Sequence, residues 1–159
     1  MAKLELLIIH NTATPKGREV SKQEIIDWHT KPKPHGNGWS KAGYTDMIHL
    51  DGRLENITPF DQDDDVEGFE ITNGVRGINS ISRHIVCVGG SSEVLTPEEV
   101  LTVGQLISLE LYVKYTIMRH PNIQIGGHNQ FTDQKSCPGF DVPDWCTKIG
   151  VSQANIYCP

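Results

Sequence analysis

No stretch of this sequence is apolar enough to cross a membrane. The longest aliphatic run, Leu6-Leu7-Ile8-Ile9, falls far short of the ~20 residues that a spanning helix needs. Glu5 interrupts the approach to it, which excludes a signal-peptide core. The chain is therefore expected to be made in the cytoplasm without a Sec-type export signal. Basic residues are in the minority: 14 Lys and Arg against 20 Asp and Glu give a net charge of −6. That excludes a general nucleic-acid binder, which displaces counterions with a basic face. Cysteine is sparse, four in 159 residues with no C-x-x-C pair. A disulfide scaffold and a zinc-finger template are both excluded. Cys146 and Cys158 are close enough in sequence to pair, but two free thiols are expected. There is no internal repeat, no low-complexity tract and no linker to a second domain.

What is present fits one globular domain. Hydrophobic residues make up 37% and charged residues 21%, a soluble rather than disordered composition. A chain of this length buries roughly 70% of its unfolded surface. The expected domain is 1–159, with its core at about 4–146 and a tail at 150–159.

Leu4 to Ile9 reads as a buried strand ending at His10. Ser21-Lys22-Gln23-Glu24 has the form of a capping box and opens a helix through Ile25, Ile26 and Trp28. Lys31 to Trp39 is a loop. Tyr44 to Leu50 and Arg53 to Ile57 flank the turn signal Asp51-Gly52 and read as a hairpin. The acidic run Asp61 to Glu67 reads as a solvated loop. His84 to Val88 is a further strand. Thr96-Pro97-Glu98-Glu99 starts the longest helix, with Val100, Val103, Leu106, Ile107 and Leu111 at helical spacing. Ile123 to Ile125 is a short strand, and Pro143-Asp144-Trp145 opens a last helix. Alternating strands and helices predict an α/β fold with a central mixed sheet flanked by helices.

The stretch Gly127-His128, then Lys135-Ser136-Cys137-Pro138, carries a histidine, a lysine and a cysteine in one loop. A catalytic zinc takes three protein ligands and leaves its fourth position open. His128 and Cys137 supply two. Among the six remaining histidines, His10 ends a strand that otherwise carries apolar side chains. Ligands of open α/β sheets gather beyond strand ends. His10, His128 and Cys137 together would make an open His-His-Cys site. The same residue types also suit ordinary hydrogen-bonded roles, and spacing alone leaves both readings open. Taken alone, Tyr44 reads as a packed strand aromatic and Lys135 as a solvated loop lysine. His49 and His84 alternate with apolar residues and read as structural.

Several segments occur in one order: Ile8-Ile9-His10-Asn11-Thr12-Ala13-Thr14, Gly38-Trp39, Gly43-Tyr44, Asp51-Gly52, Gly77-Ile78-Asn79-Ser80, Val86-Cys87-Val88-Gly89-Gly90, Thr96-Pro97, Gly127-His128, and Lys135 to Asp141. The ordered set resembles the zinc-dependent N-acetylmuramoyl-L-alanine amidases of the type-2 class, which include phage endolysins and catalytic peptidoglycan recognition proteins. The resemblance spans about residues 4–146. It implies that His10, His128 and Cys137 bind one Zn2+ and that Tyr44 and Lys135 assist catalysis. Asn11, Thr12, His35, Trp39 and Asn73 are the candidates to line a substrate groove. Three departures stand out. Thr45 replaces the histidine that often follows the tyrosine. No histidine occurs near Asn73-Gly74. Val86 stands where one branch of the family has a catalytic glutamate.

The implied reaction is zinc-dependent hydrolysis of the amide between N-acetylmuramic acid and L-alanine in bacterial peptidoglycan. Lys135 and the Tyr44 hydroxyl are candidate donors to the developing oxyanion. The implied setting is a monomeric phage-type endolysin without a separate wall-binding domain, acting on the wall of an infected host cell, with neither membrane nor nucleic acid as partner. Two alternatives share these residues: a non-catalytic peptidoglycan-binding module on the same fold, and a cysteine hydrolase built on Cys137 and His128. A regulatory protein partner is neither favoured nor disfavoured by the sequence.

Overall fold

Leu6–Asn11 is buried along its whole length. A segment buried on both faces suits the interior of a parallel sheet. In the computed structural model, which describes residues 1–159, it forms strand β2 after a two-residue strand β1 (Ala2–Lys3). The elements that follow are α1 (Lys22–Thr30), β3 (Asp46–Ile48), β4 (Leu54–Asn56), β5 (Asp65–Val66), β6 (Ser82–Cys87), α2 (Pro97–Val100), α3 (Val103–Arg119), β7 (Gln124–Gly127) and α4 (Val142–Lys148). The main sheet has the order β4-β3-β6-β2-β7. β2 pairs in parallel with β6 and β7, β3 pairs in parallel with β6, and β4 is antiparallel to β3. The sheet is mixed and flanked by helices, as the element order predicts. No helix is long and apolar enough to cross a membrane.

Side chains alternate across β2 and β6, so each strand feeds two cores. On one face Leu7, Ile9, Ile85 and Cys87 pack with Leu109 and Val113 of α3 and with Trp145 and Cys146 of α4. On the other, Val86, Val88 and Met47 pack with Val20 and with Ile25 of α1. α1 begins as its sequence signature requires: the Ser21 hydroxyl accepts the Glu24 N–H at 3.1 Å, and the Glu24 carboxylate accepts the Ser21 N–H at 2.9 Å. All four cysteines are free, Cys146 buried in α4 and Cys158 exposed in the tail.

Two expectations are corrected. The acidic run is not entirely loop, because Asp65 and Val66 pair antiparallel with Lys3 and Ala2. Strands of two residues carry no period to read. The helix opened by Thr96 is also two helices. Leu101 leaves helical conformation, and Thr102 starts α3 with a second capping box: its hydroxyl accepts the Gln105 N–H at 3.1 Å, and Gln105 Oε1 accepts the Thr102 N–H at 3.0 Å.

α3 is apolar nearly all round, so its period did not select a face. Val103, Ile107 and Leu111 point to solvent, while Leu109, Val113 and Thr116 face the sheet. Gln105 is wholly buried and donates from Nε2 to the Val88 carbonyl at 2.8 Å, which gives a polar residue its place on the buried face.

Leu109→Ala therefore opens a cavity in the larger core and is expected to cost about 2–5 kcal/mol in a denaturant titration. Ile107→Ala, on the solvent-facing side of α3, is expected to stay within about 0.5 kcal/mol of the parent. Equal losses at the two positions would contradict the assigned face.

Candidate metal centre

Parallel pairing sets the site. Ile9 of β2 is in register with Gly127 of β7. The next residues, His10 and His128, therefore emerge side by side at the same sheet edge, with ring centroids 4.8 Å apart. Gly127 allows this approach, since a Cβ there would lie 2.8 Å from a Val142 methyl and 3.1 Å from the Pro138 ring.

The loop then folds back on itself. The Asn129 N–H donates to the Cys137 carbonyl at 2.7 Å, and Asn129 Nδ2 donates to the Ser136 and Phe140 carbonyls at 3.3 Å each. Gln130 Oε1 accepts the Gly127 N–H at 2.9 Å, and Gln130 Nε2 donates to the Tyr157 carbonyl at 3.0 Å. These contacts bring Cys137 beneath the end of β2. Its Sγ accepts the Asn11 N–H at 3.1 Å and lies 3.8 Å from His10 Nδ1. One donor atom each from His10, His128 and Cys137 lies within 4.8 Å of the others.

This donor set fits zinc. Tetrahedral bonds of 2.0–2.3 Å place neighbouring ligand atoms roughly 3.3–3.6 Å apart, close to the Sγ–Nδ1 separation. Burial holds His10 well below the usual imidazole range, with the neighbouring histidines adding to the effect. Burial likewise lowers His128, helped by the Lys135 charge. Neutral imidazole is the ligand form. Burial pushes the Cys137 thiol up to about 12, against smaller downward pulls from the Asn11 N–H and Lys135. A thiolate at this position therefore calls for a cation beside it. Two imidazoles and a thiolate would leave a divalent ion with net positive charge, which keeps it electrophilic.

The remaining candidates spread around this edge. The Tyr44 ring packs 5.0 Å from that of His10. Burial, and next the Cys137 charge, raise its hydroxyl above the usual phenol range. Tyr44 thus keeps its proton and can donate it in a hydrogen bond. Lys135 is exposed on the loop, near enough for its charge to act on both His128 and Cys137.

Trp39 is partly exposed and packs 4.9 Å from His29, which packs 5.2 Å from Tyr44. Asn11 is buried, with Oδ1 accepting the Ala13 N–H and Nδ2 unpartnered. The Thr12 hydroxyl ties this loop to Gly89, accepting its N–H at 2.9 Å. Asn73 Nδ2 donates to the Lys41 carbonyl at 3.3 Å. His35 is exposed in a shallow depression with Trp28, Lys31 and Pro32, which holds none of the three donors. A cavity of about 430 Å3 walled by Phe60, Arg83, Tyr112 and Arg119 also contains none of them.

Two further histidines lie against these residues: His29, unassigned from the sequence, and His84, expected from it to be structural. His29, in the last turn of α1, accepts the Gly43 N–H at 3.0 Å and carries the aromatic chain from Trp39 to Tyr44. His84 lies against His10, Nδ1 to Nε2 at 2.9 Å. Period-two alternation puts His84 on the same face of β6 as Val86, which is in register with His10. Only the strand order reveals that the two rings meet. His49 is structural as expected, bonded to Glu19 and Glu55.

The fold has known counterparts. The endolysin amidase LysCS from Clostridium intestinale URNW is 21% identical, with a TM-score of 0.71 over 95% of this chain and 86% of that one. The Ph2119 endolysin from the Thermus scotoductus MAT2119 bacteriophage Ph2119 is 24% identical, with a TM-score of 0.70 over 96% and 87%. Drosophila PGRP-LB is 18% identical, with a TM-score of 0.65 over 98% and 84%. At these identities the likeness is one of fold. No curated protein sequence matches the chain. Residues 1–140 match the Amidase_2 family model, described as N-acetylmuramoyl-L-alanine amidase, and with the ordered segments and the converging donors this places the chain in the type-2 N-acetylmuramoyl-L-alanine amidase family.

Proposed function

We propose that the protein hydrolyses the amide between the lactyl group of N-acetylmuramic acid and L-alanine in bacterial peptidoglycan, using one zinc ion held by His10, His128 and Cys137. The convergence of these three donors at one sheet edge carries the reading. Family membership supplies the reaction class. We further propose that it works as a monomeric phage-type endolysin, a setting supported by the likeness to LysCS and the Ph2119 endolysin.

Zinc, when bound, lowers the pKa of its water to roughly 7 and polarises a carbonyl oxygen. The chain's own residues do the rest. Neutral His10 and His128 and the Cys137 thiolate would hold the ion. The Asn11 N–H holds the sulfur in place at 3.1 Å. As the amide carbonyl becomes tetrahedral, its oxygen gains negative charge. Lys135 meets that charge with an ammonium group and Tyr44 with a hydroxyl that burial keeps protonated. Donors fixed in advance spare the reorganisation that water would need. The Trp39–His29–Tyr44 chain of rings gives a sugar or peptide a wall leading to the donors.

A peptidoglycan-binding module without activity is the second reading, in keeping with the likeness to a peptidoglycan recognition protein complex bound to tracheal cytotoxin. The presence of Cys137, Tyr44 and Lys135 together favours the enzyme.

Mass spectrometry of purified peptidoglycan after digestion is expected to show free stem peptides beginning with L-alanine. Intact stems after incubation with fully zinc-loaded protein would favour the binding module. Activity is expected to vanish on complete chelation and return with zinc, whereas a cysteine hydrolase using Cys137 and His128 would survive chelation. Tyr44→Phe and Lys135→Ala are each expected to lower kcat about 100–1,000-fold, the usual loss of one oxyanion donor. Unchanged kcat in both variants would remove them from the mechanism.

A further inference from the structure

The His10 ring is engaged at both nitrogens. Nδ1 faces the Cys137 sulfur at 3.8 Å, on the side where the metal donors converge. Nε2 lies 2.9 Å from His84 Nδ1, and both rings are fully buried. A neutral imidazole offers its Nδ1 lone pair to a metal only when its proton sits on Nε2. Nε2 then donates and His84 Nδ1 accepts. We propose that His84 is a positioning residue for the metal centre: it accepts the Nε2 proton of His10 and thereby holds His10 Nδ1 bare and aimed at the other two donors. The inference rests on the zinc reading above.

Three observations carry it. First, the ring of His84 is fixed. The His84 backbone N–H donates to the Thr45 hydroxyl at 3.2 Å, and its backbone carbonyl accepts the Thr45 N–H at 2.8 Å. Gly74 lies so close to the imidazole that any Cβ there would overlap it. Second, packing alone gives no reason for a histidine here. With Nδ1 accepting, His84 must carry its proton on Nε2, which is buried without a partner. An unpaired buried donor is destabilising, and an apolar side chain of similar volume would avoid that cost. Third, His84 Nδ1, 2.9 Å from His10 Nε2, can accept only in a neutral imidazole, since an imidazolium has two donors and no acceptor. The link is therefore a hydrogen bond between neutral rings.

That neutrality has a chemical consequence. The usual partner of a ligating histidine is a carboxylate, a carbonyl or a water. A carboxylate would add negative charge beside the metal and weaken it as an electrophile. An imidazole orients the ligand and sets its tautomer without that charge. Val86, the residue in register with His10, contributes none either.

The test uses the whole protein and two variants. His84→Leu removes the acceptor. His84→Asn restores one, because its Oδ1 sits near the place of the imidazole Nδ1. Nitrogen-15 NMR of the metal-free wild type is expected to show His10 protonated on Nε2. Zinc dissociation constants, from chelator competition, are expected to rise about 10–100-fold in the leucine variant, as for other lost partners of ligating histidines. The asparagine variant is expected to recover most of that affinity. An Nδ1-protonated His10 in the wild type would overturn the proposal. So would wild-type zinc affinity in a folded leucine variant, or an asparagine variant as weak as leucine. If the leucine variant does not fold, the tautomer and the asparagine variant decide. If the wild type binds no zinc, the proposed function fails, and the tautomer still judges the His10–His84 bond by itself.

Discussion

The structure depends on the parallel pairing of β2 with its two neighbours. The pairing with β7 sets His10 and His128 side by side at one edge, although they are far apart in sequence. The pairing with β6 sets His84 diagonally behind His10 on the same face. A slip of one residue in either ladder would turn the rings to the opposite face and dismantle the site. The core packing of Leu7, Ile9, Ile85 and Ile125 thus fixes the geometry of the polar side chains as well as the stability of the fold.

Burial has two effects at this edge. It holds His10 and His84 below the usual imidazole range and so favours their neutral forms, the state that the proposed ligand and its proposed partner both require. It also makes a Cys137 thiolate costly unless positive charge is near. A metal held by the three donors would thus gain both its attraction and its rigid surroundings from the same low-dielectric setting. Tyr44 is half-buried on the approach to β3, and Lys135 is exposed on the loop before Cys137.

Much of this was legible in the sequence. The apolar run before His10, the Ser21 capping box and the glycines before His128 each announce their local structure through short-range physics. The three donors were legible because two of them end strands and the third follows in the same loop as His128. What was missed depends on long-range geometry. The contact of His84 with His10 follows from which strands are neighbours, and alternation along β6 alone made His84 look like a packed core residue. The face of α3 was hidden because both sides are apolar, and a buried Gln105 defied the pattern by serving the Val88 carbonyl. The spacer Asn129 to Gln134 had no assignment in sequence. In the fold, Asn129 and Gln130 supply the hydrogen bonds that return the chain to the metal donors.

The central claim is that His10, His128 and Cys137 form one zinc centre. X-ray absorption at the zinc edge of the loaded wild-type protein tests it most directly. The account predicts one sulfur at about 2.3 Å and three nitrogen or oxygen neighbours at about 2.0–2.1 Å, two of them imidazole. A first shell without sulfur, or one made only of oxygen, would contradict it.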